Sequence, residues 1–265
     1  MSDAEIGAQL ARIVEDAAGV ILPLWRTGLS VDVKTDRSPV TEADRRGEDL
    51  ILERLHAAFP GIPVVAEEAS SANGVPITIA SRFFLVDPLD GTKAFVRGEA
   101  HFTVNIGLVD HGVPVAAAVA APATGETWFT GDGGALKRQV GETEGRPIRV
   151  RPRNEADVLG LVSHTLKPEQ FADLQARYGI TRKQAMDSSV KLCVIAEGGA
   201  DIYPRQGPTM EWDIAAGHAI LAAAGGALTA LDGGPFVYGK ADKGFRNEGF
   251  VARGGVSLLR SGTRC

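Results

Sequence analysis

The sequence predicts an α/β fold, with an α+β first half and an α/β second half, on three observations. Two amphipathic helical patterns open the chain, short apolar runs of strand length follow, and beyond Gly145 strand-like and helix-like segments alternate. At 265 residues the chain can bury a large core, as one domain or as two closely packed halves. The polar turn Gly141–Gly145 is taken as the seam, giving halves at 1–140 and 141–265.

Ile6, Leu10, Ile13, Val14, Ala17, Ile21 and Leu24 recur at helical spacing and define the first helix, which Pro23 is expected to kink or end. Val31 to Val40 reads as a polar loop or hairpin exposing Lys34, Asp36 and Arg37. Thr41-Glu42-Ala43-Asp44 has the form of a capping box. It opens a second helix with Leu50, Ile51, Leu55 and Phe59 on its apolar face, stopped by Pro60-Gly61. Val64-Val65-Ala66 is a short strand ending at Glu67-Glu68, and Ala69 to Gly74 reads as a loop. Phe83 to Val86 is a buried strand running into Asp87-Pro88-Leu89-Asp90-Gly91-Thr92. Phe102 to Val109 alternates as a half-buried strand. Asp110-His111-Gly112 then turns the chain into a strand over Val113–Ala121, and Glu126–Thr130 adds another. In the second half, strands are expected at Val158–Ser163, Ala200–Tyr203, near Ala227 and near Phe250. Helices are expected at Glu169–Tyr178, Ser188–Glu197 and Asp213–Ala224.

Hydrophobic residues make up 44% and charged residues 23%, as in ordinary globular proteins. The net charge of -5 argues against general nucleic-acid binding, which needs a basic face, but leaves room for a small phosphorylated ligand. Cys193 sits in an apolar stretch and reads as a small buried hydrophobe. With Cys265 it makes no metal-ligand spacing, which fits a reducing compartment. The start Met-Ser-Asp-Ala-Glu lacks the basic region of a secretory signal, and no apolar run spans a bilayer, so the expected location is cytoplasmic.

Aspartate is disfavoured within strands and costly to bury unpaired, so Asp87 and Asp90 at a strand end need a partner. Glu67 closes the preceding strand, Asp44 lies in the first turn of one helix, and Asp213 begins another. Gathered on one rim, these carboxylates would repel one another unless cations held them, and two divalent ions about 4 Å apart are a known arrangement for phosphoryl hydrolysis. If a helix begins at Gly91-Thr92, its free N–H groups offer a phosphate site. Taken singly, each position has a plainer reading: Asp213 and Thr92 as caps, Asp44 as compensation for the helix dipole, Glu67 as a solvated loop acid. Spacing alone leaves both readings open.

Three segments in order, Glu67-Glu68, Asp87-Pro88-Leu89-Asp90-Gly91-Thr92 and Trp212-Asp213-Ile214-Ala215-Ala216-Gly217, resemble the signatures of the Mg2+-dependent, Li+-sensitive phosphatases related to inositol monophosphatase. The resemblance implies a layered αβαβα sandwich and two to three Mg2+ ions. Glu67, Asp87 and the Leu89 carbonyl would hold the first. Asp87, Asp90 and Asp213 would hold the second, with Asp87 bridging, and a weaker third would share Glu67. It further implies that Thr92, its hydroxyl held by Asp44, orients a metal-activated water for in-line attack, and that the Gly91 and Thr92 amides bind the phosphate. Glu67, Leu89, Asp90 and Asp213 would then also contact the substrate.

Ser38-Pro39-Val40-Thr41-Glu42-Ala43-Asp44, the run from Asp90 to Phe95, Ser188-Ser189-Val190-Lys191 and Tyr203 to Asp213 look most similar to the bacterial 3′(2′),5′-bisphosphate nucleotidases of sulfate assimilation. The implied substrate is adenosine 3′,5′-bisphosphate, with its 5′-phosphosulfate analogue as an extension, and Ser189, Lys191 and Arg205 would contact it. Lys191 and Arg205 suit a doubly phosphorylated ligand, which needs more cationic contacts than an inositol phosphate, but a surface lysine and a surface arginine are the plain alternatives. Inositol phosphate, histidinol phosphate or a sugar bisphosphate are alternative substrates, and a non-catalytic metal- or phosphate-binding protein is the remote one. Family members are often dimers and are sometimes associated with the inner face of the membrane. One departure stands out: Asp187 occupies a position that is usually Gly, where added charge would weaken binding and a left-handed backbone would be strained.

Overall fold

A computed structural model describes residues 1–27, 31–33 and 39–255. In the first part of the chain the elements are α1 (Asp3–Thr27), β1 (Val31–Val33), β2 (Pro39–Thr41), α2 (Glu42–Ala58), β3 (Val64–Ala66), α3 (Glu67–Asn73), β4 (Arg82–Asp90), α4 (Thr92–Val96), β5 (Thr103–Asp110), β6 (Val113–Ala121), β7 (Glu126–Gly131), β8 (Gly134–Gln139) and β9 (Arg146–Ile148). They continue with β10 (Leu159–Val162), α5 (Pro168–Tyr178), β11 (Arg182–Ala185), α6 (Val190–Ala196), β12 (Ile202–Arg205), β13 (Thr209–Met210), α7 (Glu211–Ala223), β14 (Ala227–Ala230), β15 (Arg246–Asn247) and β16 (Phe250–Arg253).

A seven-stranded sheet runs in the order β3-β4-β5-β6-β7-β8-β9, antiparallel except for the parallel pair β3–β4. A five-stranded sheet, β11-β10-β12-β16-β14, mixes parallel pairing at β10 with antiparallel pairing at β16. Helices α1 and α2 cover the outer face of the first sheet, burying Leu10, Val14, Ile21, Ile51 and Leu55 against Phe84, Ile106 and Ala118. Helices α6 and α7 fill the space between the sheets, where Leu192, Ile195, Ile214 and Ile220 meet Leu85, Val119 and Phe250. Helix α5 closes the outer face of the second sheet through Leu174 against Ile202 and Val251. The layers are therefore α-β-α-β-α.

This sandwich explains where the chain departs from its expected pattern. β5 is buried along both faces from Thr103 to Val109 rather than half-buried, because helices lie on each side of it. At Gly107 an added Cβ would stand 3.0 Å from the Ala216 backbone nitrogen, so the missing side chain lets α7 seat against the sheet. Pro23 does not end α1, which continues to Thr27. The expected 69–74 loop is helical through Asn73: both oxygens of Glu48 accept N–H groups at the start of α3, from Glu68 and Ala69 at 2.7 Å each. Strands β8, β9 and β11 were not anticipated, and β9 joins the first sheet beyond the Gly141–Gly145 turn. β1 and β2 pair as an antiparallel hairpin, while Lys34, Asp36, Arg37, Ser38 and Cys265 lie outside the described residues. Among the described residues, no helix is long and apolar enough to cross a membrane.

Candidate active site

The ladder between β4 and β5 is regular up to Asp87, opposite Asn105, and resumes at Asp90, opposite Thr103. Three steps on β4 thus face two on β5, so the chain bulges at Pro88-Leu89, where proline has no N–H to contribute. Within the bulge the Leu89 N–H donates to Asp87 Oδ1 at 2.9 Å. Gly91 then turns with φ 95°, and a Cβ there would stand 2.7 Å from the His101 carbonyl oxygen and 3.2 Å from Ser188 Cβ. Only glycine meets both requirements, and Thr92 opens α4 directly after it.

Glu67, Asp87 and Asp213, the first residue of α3, a buried residue of β4 and the third residue of α7, converge. Each offers a carboxylate oxygen within 4.8 Å of the other two. Asp90 stands beside this triad rather than in it, with its Oδ2 accepting the backbone N–H of Ser189. Asp213 is also a cap, because its Oδ2 accepts the Met210 N–H at 2.9 Å. Both readings of that residue therefore hold together. Burial pushes the Asp87 carboxyl far above the usual range, reinforced by Glu67, Asp90 and Asp213. Burial does the same at Asp213, reinforced by Asp90 and Glu67. Asp90 rises to about 6, with burial opposed by Lys191 and the Ser189 N–H. A donor set made only of oxygens, buried and mutually repelling, fits a hard divalent cation such as Mg2+.

Thr92 Oγ1 lies 3.1 Å from the Leu89 carbonyl and 3.3 Å from Asp44 Oδ1, so its single proton has two acceptors. Asp44 is buried and fixed through its other oxygen, which accepts from the Thr41 N–H at 2.7 Å and the Thr41 hydroxyl at 2.6 Å. The expected capping box is present and places Asp44 against Thr92 from a neighbouring element.

Ser188, Ser189, Lys191, Tyr203 and Arg205 line a pocket together with Asp90 and Asp213. Lys191 is not a surface residue. It is 3% exposed, and its Nζ donates to the carbonyls of Met186 at 3.1 Å and Ser188 at 2.6 Å. Burial pulls its ammonium down to about 8, against the opposing pull of Asp90. Arg205 donates to the carbonyls of Gly207 and Pro208 at 3.4 and 3.2 Å. The Ser189 hydroxyl turns inward, 2.6 Å from Asn105 Oδ1 and 2.8 Å from Thr103 Oγ1, so it is the residue's backbone N–H that reaches Asp90. The expectation of a strained left-handed backbone at Asp187 is corrected: Ser188 takes that conformation, with φ 60°. Holding a serine there costs about 1 kcal/mol.

Several supporting residues escaped the sequence reading. Glu48, on the buried side of α2, fixes the start of α3 immediately after Glu67. Glu211, fully buried, accepts from the Gly239 and Lys240 N–H groups at 2.7 and 3.0 Å and pairs with Lys240 Nζ at 2.8 Å, pinning the start of α7. The available signal was a glutamate within an apolar helical stripe, which needs a partner that the local sequence does not name.

The chain's likeness to known proteins agrees with this geometry. The family model for the inositol monophosphatase family matches residues 4–254, and the chain belongs to that family. It is 35% identical over 244 residues to the 3′(2′),5′-bisphosphate nucleotidase CysQ of Escherichia coli K12, covering 91% of this chain and 97% of that protein. Histidinol-phosphatase of Mycobacterium tuberculosis is 33% identical over 210 residues, covering 77% of this chain and 79% of that enzyme. Among solved structures, CysQ from Bacteroides thetaiotaomicron superposes with a TM-score of 0.77 at 32% identity, covering 95% of this chain and 97% of that one.

Proposed function

We propose that this chain is a Mg2+-dependent 3′(2′),5′-bisphosphate nucleotidase that hydrolyses the 3′-phosphate of adenosine 3′,5′-bisphosphate to give AMP and phosphate. The observation that carries the reading is one pocket lined both by the carboxylates Asp90 and Asp213 and by two cations, Lys191 and Arg205. A bisphosphate brings one phosphate for the carboxylate-held metal ions and a second for the cations, whereas a monophosphate has only the first. The nucleotidase relatives, matched over almost their whole length, support the same choice.

Glu67, Asp87 and the Leu89 carbonyl would hold one Mg2+, and Asp87, Asp90 and Asp213 a second, with a third sharing Glu67. When bound, the ions supply charge neutralisation for the phosphoryl group and activation of the attacking water. The chain's own residues do the positioning. Thr92, whose hydroxyl is oriented by Asp44 and Leu89, would hold the attacking water through its hydroxyl oxygen. The Gly91 and Thr92 amides would take phosphate oxygens, in a turn whose φ of 95° glycine adopts readily. Lys191 and Arg205 meet the second phosphate.

The test is phosphate release from adenosine 3′,5′-bisphosphate, inositol 1-phosphate and histidinol phosphate, with Mg2+ and with or without Li+. The expected result is Mg2+-dependent, Li+-inhibited release with the highest kcat/KM for the bisphosphate. A higher kcat/KM for inositol 1-phosphate or histidinol phosphate would reassign the substrate, and no release from any would leave a binding protein.

A further inference from the structure

Asp187 does not face the substrate cleft. Ser188, Ser189 and Lys191 line that cleft and Asp187 does not. Its Oδ2 instead takes Arg97 Nη2 at 2.8 Å, and its Oδ1 lies 3.3 Å from His164 Nδ1. Arg97 follows α4 and is itself held by a two-point contact with Glu99 at 2.8 and 2.7 Å. His164 follows β10, and its ring stacks on that of His101, with centroids 6.1 Å apart and planes at 24°. One carboxylate thus ties together three segments of chain: the exit of α4, the loop after β10 and the turn before α6. Burial alone would raise its pKa, but His164 and Arg97 outweigh this and hold the carboxyl below its usual value, so its charge is matched locally.

These segments adjoin the residues that line the substrate cavities. Ser188, next to Asp187, packs its Cβ against Gly91 and holds a left-handed backbone that serine adopts only under constraint. Ser189 N–H reaches Asp90, and Ser163 and Thr165 line a second cavity that shares Tyr203 and Arg205 with the first. From the inside the 186–189 turn is held by Lys191 on its carbonyls, by Ser189 on Asn105 and Asp90, and by the Met186 N–H on the Val162 carbonyl. From the outside the described contacts are those of Asp187.

We propose that Arg97, Asp187 and His164 form an ionic latch across the mouth of the cleft, in which Asp187 and Arg97 are positioning residues that set the Ser188–Ser189 wall and thereby substrate affinity. The residue that looked like a liability for an anionic substrate is, in this reading, a neutralised fastening. The proposal rests on the cleft being the substrate site, which turnover by the wild-type protein tests separately; the latch is read from ratios of variant to wild type on whichever phosphomonoester turns over.

The experiment is steady-state kinetics of Asp187→Ala, Arg97→Ala, the double alanine variant and the charge-keeping Arg97→Lys, with melting temperature and Mg2+ half-saturation recorded for each. A half-exposed ion pair supports a rise in KM of about fivefold for either single variant, with kcat and Mg2+ half-saturation within about twofold of wild type. The double variant should be no worse than the singles, and Arg97→Lys should retain most of the affinity that Arg97→Ala loses. Should Asp187→Ala not fold, Asp187→Asn keeps the shape and removes the charge, and the same KM rise is expected. Unchanged KM in the singles, additive losses in the double, or an Arg97→Lys no better than Arg97→Ala would overturn the latch.

Discussion

Glu48 Oε2 accepts the backbone N–H of Glu68 at 2.7 Å, so a carboxylate from α2 fixes the turn on which Glu67 stands. Its other oxygen takes the Ala69 N–H, making Glu48 the cap of a helix 20 residues further along the chain. Glu48→Ala removes two charge-assisted hydrogen bonds and should cost about 3 kcal/mol of stability. It should also raise the Mg2+ concentration for half-maximal activity by about tenfold or more, as loss of a supporting partner does at metal sites. Urea melts and a Mg2+ titration check both. A Mg2+ requirement equal to that of wild type would detach Glu48 from the site.

Asp87 carries opposite signs in stability and activity. Its folded-state pKa lies far above the unfolded value, so its contribution is favourable at acid pH and is lost as pH rises through the folded pKa. Asp87→Asn should therefore raise the melting temperature of the metal-free protein at pH 8, by about 2–4 °C for each kcal/mol relieved. The same variant should lose at least about a hundredfold in phosphate release and should no longer be stabilised by Mg2+ as the wild type is. Calorimetry with a chelator and then with Mg2+ separates the two effects.

Thr92 contributes a hydroxyl rather than bulk. Thr92→Val keeps the branched shape and should lower kcat about a hundredfold with little change in melting temperature, whereas Thr92→Ser should stay within about tenfold of wild type. If Thr92→Val turned over at the wild-type rate, the water-orienting role would pass to another group.

His218 gives a pH signature remote from the carboxylates. Burial lowers its pKa from 6.5 to about 4, and its Nδ1 lies 3.0 Å from the Tyr238 hydroxyl. A histidine with a depressed folded pKa stabilises fully above its unfolded pKa, and that stability is lost as pH falls from 6.5 towards 4. The loss is at most about 3 kcal/mol. His218→Gln, measured by denaturant melts in saturating Mg2+ across that window, should flatten the acid limb.

Much of the candidate site was legible because its chemistry conflicts with its surroundings. Asp87 and Asp90 interrupt an apolar strand, Glu67 closes another, and Asp213 opens a helix that is apolar on nearly every side. What could not be read depends on partners distant in sequence. Glu48 and Glu211 look like ordinary helix acids until the N–H groups they satisfy are brought to them. Strand β8 carries Lys137 and Arg138, which read as solvated until Glu126 and Glu197 meet the first and Glu15 the second, at 2.6 Å. The run 69–73 became helix for the same reason. At Asp187 the sequence showed a charge without its countercharge, since Arg97 lies 90 residues away.

The bulge at Pro88-Leu89 has a consequence for how this sheet can change. Side chains alternate along a strand, so residues three apart belong to opposite faces, and a regular β4 would send Asp87 and Asp90 to opposite sides. Because β4 takes three steps where β5 takes two, the count is reset and both carboxylates serve one cleft. Deleting a single residue between them would mend the ladder and keep the pair on one face, but it would remove the bulge whose Leu89 N–H holds Asp87 and whose carbonyl takes the Thr92 hydroxyl. Selection for a neater sheet and selection for this site therefore pull in opposite directions, and the irregular pairing is the trace left by the second.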